Sequence, residues 1–235
     1  MNRFFLCVLF WTSAYAVQDP ETYRILDEIA LNAKTDKASN FHNYTEVYSQ
    51  YFAPLRNTPI KFLEIGIYKG HSVKLWEDYF QNGELHFIDY TLANVEYSSP
   101  RSKYHIADQS NPKDLAKVIQ TTGGEFDLIL DDGGHTMKQQ IASFSFLFPH
   151  LKSGGLYIIE DLHTSYWPEY GGGNNPNTTM AFLKRLLDDV NFVGASTRQA
   201  SHLNIDPSVL KRLSTYQKEI YSIHFYDSLA IIIKR

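Results

Sequence analysis

Short apolar runs that each enter a turn, and are each followed by a helix-spaced segment, constrain this chain more than any other feature. Phe62 to Ile65 runs into Gly66, Leu85 to Ile88 into Asp89, and Phe126 to Leu130 into Asp131. Gly155 to Ile159 repeats the pattern before Glu160, and Lys103 to Ala107 is a weaker member. Strands buried on both faces read as continuous apolar runs because neither face meets water. The segments between them, Ser72 to Phe80, Pro112 to Gln120, Gln139 to Leu151 and Met180 to Val190, read as helices. Ser72 is the candidate N-cap of the first, and Pro112 sits in the first turn of the second. The alternation predicts a doubly wound α/β domain built on a mostly parallel sheet. Tyr221 to Phe225 and Ser228 to Ile233 meet at a Tyr226-Asp227 turn. A parallel crossover needs a dozen or more residues, so this last pair is a C-terminal antiparallel hairpin. Upstream, Tyr23, Leu26, Ile29 and Ala30 mark one amphipathic helix, and Tyr44, Val47, Tyr48, Tyr51 and Phe52 mark another. The expected organisation is a helical cap over 17–57 and the sheet domain over 58–235.

A chain of 235 residues suits one such domain. A net charge of -4, with lysines scattered rather than striped, excludes nucleic acid as an expected partner. Cys7 is the one cysteine, so an intrachain disulfide and a thiolate metal cluster are both excluded. Any metal must use oxygen or imidazole ligands. Asn2 and Arg3, the apolar run Phe4 to Trp11, and Ala14-Tyr15-Ala16 form a signal-peptide pattern, and the run is too short for a standard membrane span. Residues 1–16 are therefore expected to be a signal peptide or an N-terminal anchor. Cleavage would place the chain in the secretory pathway or outside the cytoplasm; otherwise it is cytoplasmic, and an uncleaved segment is its only membrane contact.

In an open α/β sheet, ligands bind beyond the carboxyl ends of the strands, where strand order reverses. The first strand ends in Glu64, Gly66 and Gly70, a G-x-x-x-G spacing that is neither a dinucleotide fingerprint nor a P-loop. The glycines allow close backbone approach to a ligand. Glu64, an acid inside an apolar strand, needs a partner, and a ligand's ammonium group would serve. Asp89 lies roughly 20 positions beyond the glycine turn, where an acid takes ribose hydroxyls. Asp108 and Gln109 offer a carboxylate and an amide to the exocyclic amine of adenine. Each signal is weak alone, since caps, turns and a salt bridge to Lys account for these residue types too. Their order at successive strand ends points to a nucleoside cofactor.

The fourth strand ends Asp131-Asp132-Gly133-Gly134-His135 and the fifth Glu160-Asp161-Leu162-His163. Adjacent strands would gather four carboxylates on one rim, and like charges so close repel unless a cation sits among them. Carboxylate oxygens are the preferred ligands of Mg²⁺ and Mn²⁺. Asp132, Glu160 and Asp161 are the candidate ligands, His135 the candidate general base, and Asp131 a candidate for the cofactor side. A plainer reading, of Asp131 and Asp132 as turn residues and His135 as a solvated loop histidine, stands beside it. His163 to Pro168 offers aromatic surface, and the glycine-rich stretch after it offers a mobile lid over an acceptor.

The run Asp131 to His135 followed by Ile159-Glu160-Asp161-Leu162 resembles the metal-dependent sugar O-methyltransferases of antibiotic biosynthesis, of mycinamicin and macrocin type. Thr35-Asp36-Lys37 and His42 to Thr45 look like that family's segment before the core, which implies a place for Thr35 in the cofactor pocket. The resemblance implies a seven-stranded, Rossmann-like class I methyltransferase fold, S-adenosyl-L-methionine as donor and Mg²⁺ (or Mn²⁺) at the acceptor site. It assigns Asp132, Glu160 and Asp161 to the metal and His135 to the proton. Gly134 stands where the family usually has Ser, and the long N-terminal region of the macrolide enzymes has no counterpart in the sequence. The implied partner is a small-molecule acceptor, with a glycoside first among candidates, and self-association into a homo-oligomer is left open. Two alternatives remain. One is a metal-dependent methyltransferase of a catechol or other small phenol; the other is a non-catalytic secreted protein on the same scaffold.

Overall fold

The computed structural model describes residues 19–197 and 205–235. The signal-like segment, residues 1–16, lies outside them. Seven strands form one sheet: β1 (Lys61–Ile65), β2 (Glu84–Asp89), β3 (Lys103–Ile106), β4 (Phe126–Asp131), β5 (Leu151–Ile159), β6 (Ile220–Tyr226) and β7 (Leu229–Lys234). Their order is β3-β2-β1-β4-β5-β7-β6. The first five run parallel to one another, and β7 runs antiparallel to both β5 and β6. This is the doubly wound, mostly parallel sheet with a C-terminal antiparallel hairpin, and its order reverses between β1 and β4. The hairpin turns one residue later than the sequence suggests. Tyr226 still pairs with Leu229, leaving Asp227 and Ser228 in the turn with Ser228 at φ +59°.

Helices cover both faces. On one, α1 (Pro20–Ala33), α2 (Tyr44–Phe52) and α3 (His71–Tyr79) pack Leu26, Ala30, Tyr48, Phe52 and Trp76 onto Phe62, Phe87 and Leu130. The N-terminal helices thus share one core with the sheet. On the other, α4 (Pro112–Thr122), α5 (Met137–Leu147) and α6 (Thr179–Thr197) bring Leu115, Phe144, Leu147 and Leu183 against Leu63, Ile129 and Tyr157. Each large apolar side chain so buried contributes about 1.5–3 kcal/mol before the entropy of ordering it is charged.

Three local expectations are corrected. Gly70, not Ser72, caps α3; the Ser72 hydroxyl faces the sheet and donates to buried Glu64 at 2.8 Å. α5 begins at Met137, because Thr136 and Gln139 form a reciprocal capping box. It ends at Leu147, since Phe148–His150 tightens into a 3₁₀ turn with Pro149 inside it and Leu151 opens β5. The short helices α7 (Pro207–Leu210) and α8 (Thr215–Glu219) were not legible as periodic segments.

Candidate active site

Register builds the rim. Ile65 lies opposite Asp131, and Asp131 opposite Ile159, so Gly66, Asp132 and Glu160 emerge side by side. Backbone hydrogen bonds carry the pairing one residue past the strands. Gly66 N–H donates to Ile88 O at 2.8 Å, Asp132 N–H to Ile65 O at 2.9 Å, and Glu160 N–H to Asp131 O at 3.0 Å. Gly66 has φ +99°, and a Cβ there would sit 2.0 Å from the Asp132 carbonyl oxygen. Only glycine permits that approach.

Beyond β1, β2 and β4 opens a cavity of about 930 Å³. Gly66, Asp89, Asp108 and Gln109 line it, with Asp132 and His135 on its far wall. The Asp89 carboxylate accepts the Ile67, Tyr68 and Thr91 N–H groups, so it fixes the glycine turn as well as facing the cavity. Gln109 bridges two loops, donating to Asp131 at 2.9 Å and accepting from Gly134 N–H at 2.8 Å. Tyr68 and Tyr90, both largely exposed, add aromatic walls that the sequence reading did not single out.

Four residues expected at the cofactor do not line this cavity. Gly70 caps α3, and Thr35 is buried in the loop after α1. Asp131 is fully buried, accepting from Ser143 and Gln109, and burial pushes it up to about 6. Glu64 is also fully buried; it accepts from Ser72 and, at 3.1 Å, from Trp76. Burial pushes it up to about 8 against the pull of Lys37 and these two donors. Its partners are therefore protein groups.

On the far side, ligand atoms of Asp132, His135 and Asp161 all lie within 4.8 Å of one another. His135 Nε2 is 3.4 Å from Asp161 Oδ2 and 3.9 Å from Asp132 Oδ1. His135 adopts φ +57° and Asp161 φ +54°, and strained backbone of this kind gathers at functional sites. The buried His135 Nδ1 has no hydrogen-bond partner. Glu160, the third expected ligand, is turned inward. Its Oε2 accepts from Lys37 Nζ at 2.7 Å and its Oε1 from the Tyr48 hydroxyl. Burial and the charge of Asp132 raise Glu160 well above the usual carboxylate range. Lys37 also donates to Asp132 Oδ2. Burial alone would depress Lys37, but Asp132, Glu160 and Glu64 outweigh it and hold the ammonium form. Tyr44 donates to Asp161 Oδ1 at 2.7 Å. A hard-oxygen donor set with two partly open carboxylates fits Mg²⁺ or Mn²⁺.

An aromatic wall borders Asp161. His42 stacks on Tyr44 with ring centroids 4.9 Å apart, and His163 meets Trp167 edge-on at 4.6 Å. Phe41 is 71% exposed and Trp167 44% exposed beside this group. The wall joins a loop before the sheet to the loop after β5, a pairing that sequence spacing does not disclose.

A profile described as a methyltransferase domain matches residues 63–162. The chain is 34% identical over 88% of its length to 8-demethyl-8-alpha-L-rhamnosyl tetracenomycin-C 2'-O-methyltransferase of Streptomyces olivaceus, covering 54% of that protein. It is 30% identical over 89% of its length to mycinamicin VI 2''-O-methyltransferase of Micromonospora griseorubida, covering 52% of that protein. Among solved structures it is similar to the MycE methyltransferase from the mycinamycin biosynthetic pathway in complex with Mg and SAH. There the TM-score is 0.76 at 30% identity, covering 89% of this chain and 53% of that one. The chain spans about half the length of the curated relatives it matches.

Proposed function

From a chain that carries a methyltransferase domain and is similar to sugar O-methyltransferases, we propose an S-adenosyl-L-methionine-dependent O-methyltransferase acting on a hydroxyl of a sugar or glycosylated small molecule. The observation that carries this reading is the meeting of His135 with Asp132 and Asp161 at the wall of the cavity. Gly66, Asp89, Asp108 and Gln109 would hold the adenosyl part of the donor. Thr35, Glu64, Gly70 and Asp131 act one layer behind, as supports. Asp132 and Asp161, the two partly open carboxylates, would hold the Mg²⁺, with Glu160 behind them in the ion pair with Lys37; when bound, the metal supplies Lewis-acid stabilisation of negative charge on the acceptor oxygen.

The chain's own groups do the rest. A sugar hydroxyl is a weak nucleophile at neutral pH, so its proton needs a base within reach. His135 Nε2 faces the rim and takes that proton as the O–CH₃ bond forms and the S–CH₃ bond breaks. S-adenosylhomocysteine leaves. Asp161 and Asp132 orient the imidazole. The His42, His163 and Trp167 rings offer the flat apolar faces on which a pyranose ring packs.

The test is methyl transfer from labelled S-adenosylmethionine to a set of aryl rhamnosides, with catechol included. Transfer to a glycoside, lost in His135→Ala while S-adenosylhomocysteine still binds, is the expected result. Transfer to catechol alone, with His135→Ala retaining most activity, would replace the sugar reading with the phenol one.

A further inference from the structure

Lys37 reaches the centre of the rim from outside the sheet. It follows α1 in a loop pinned from below: buried Asp27 accepts the Ser39 N–H at 2.7 Å, the Ser39 hydroxyl at 2.6 Å and the Thr45 hydroxyl at 2.8 Å. Thr45 N–H donates to the Lys37 carbonyl at 3.1 Å. The backbone is therefore fixed, and the side chain is delivered, fully buried, among acids from three strand ends. Its ammonium meets Asp132 Oδ2 and Glu160 Oε2, and lies 3.9 Å from Glu64 Oε1. An ammonium has three protons to donate, and a buried one is tolerated only when paired.

We propose that Lys37 is a positioning residue: its ammonium is the resident counter-ion that holds Asp132 and Glu160 together at the ends of β4 and β5, so the acid rim is assembled before a divalent cation arrives. The oxygens divide the labour. Lys37 takes the inner Oδ2 of Asp132 and leaves the outer Oδ1 towards His135. Asp161 has a different partner, the Tyr44 hydroxyl, which donates to its Oδ1 at 2.7 Å. Without Lys37, Asp132 and Glu160 would face each other buried with no cation between them, a pair that must either repel or take up a proton, and the strand ends would lose their tie. A divalent cation would then become necessary for folding stability as well as for chemistry.

The experiment compares wild type, Lys37→Met, Glu160→Gln and the double variant by thermal unfolding, in EDTA and in MgCl₂. Removing one partner of a buried pair should lower the Lys37→Met midpoint in EDTA by roughly 6–20 °C. Adding Glu160→Gln, which removes the uncompensated carboxyl group, should recover much of that loss. An insoluble single variant beside a soluble double variant supports the proposal equally. A double variant no more stable than Lys37→Met overturns it, since mere packing would not be rescued at Glu160. Mg²⁺ should raise the Lys37→Met midpoint more than that of wild type. This arm rests on the metal reading of the rim and the double variant does not. Suppression without Mg²⁺ rescue would therefore count against the metal alone.

Discussion

Replacing Gly66 by Ala tests how the cavity is built. The backbone there has φ +99°, which costs an L-residue roughly 1–2 kcal/mol. The new Cβ would stand 2.0 Å from the Asp132 carbonyl oxygen, so the loop after β4 must retreat. Retreat strains the Asp132 N–H to Ile65 O hydrogen bond, worth about 1 kcal/mol net. The sum, about 2–3 kcal/mol, corresponds to a midpoint lowered by roughly 4–12 °C for a domain of this size. Gly123 is the control: it has φ +82° and nothing within 4 Å of an added Cβ, so Gly123→Ala meets the conformational cost alone. Gly66 and Asp132 both line the cavity, and Gly123 does not. Calorimetric titration should therefore find S-adenosylhomocysteine binding weakened about tenfold or more in Gly66→Ala, equivalent to ~1.4 kcal/mol, and unchanged in Gly123→Ala. Equal affinity in the two variants would refute the claim that this close approach shapes the cofactor site.

Asp27→Ala removes the acceptor of three hydrogen bonds and should cost about 2–4 kcal/mol in denaturant unfolding, with methyl transfer falling as Lys37 loses its anchor. At the opposite end of the sheet, His86 is buried against His105, and burial lowers it to about 4. A histidine depressed in the folded state stabilises it above its unfolded pKa and loses that contribution as pH falls through the folded one. Denaturant stability should thus drop between about pH 6.5 and 4 in wild type and more gently in His86→Gln; parallel curves would exclude His86 as the cause. Trp167→Ala should raise KM for a glycoside acceptor several-fold and leave KM for S-adenosylmethionine unchanged; equal effects on both would remove Trp167 from the acceptor wall.

The sheet was legible because its strands are buried on both faces, which makes Phe62 to Ile65 and Phe126 to Leu130 continuous apolar runs. The sequence reading supposed β4 and β5 adjacent, and the sheet pairs them, which brings Asp132 and Glu160 together. The direction of each side chain was not legible. Glu64 reads in sequence as an acid awaiting a ligand, yet Ser72, Trp76 and Lys37 reach it from positions that no spacing rule connects. Glu160 and Asp161 are consecutive but divide between the interior and the rim, because Asp161 takes a left-handed conformation that turns the chain. Lys37 was visible only as part of a Thr35-Asp36-Lys37 segment. Its role depends on a loop fold set by Asp27, and a lysine in a polar stretch reads by default as surface. The boundary of α5 was missed for a local reason, since the capping box at Thr136 and Gln139 was present in the sequence and was outweighed by apolar spacing.

Titration of S-adenosylhomocysteine into the chain lacking residues 1–16, with Mg²⁺ and again with EDTA, decides whether the cavity beyond β1, β2 and β4 takes the adenosyl cofactor. Saturable binding to one site per chain, weakened in Asp89→Ala and Asp108→Ala, is the result expected. Absence of binding to folded protein in both conditions would contradict it.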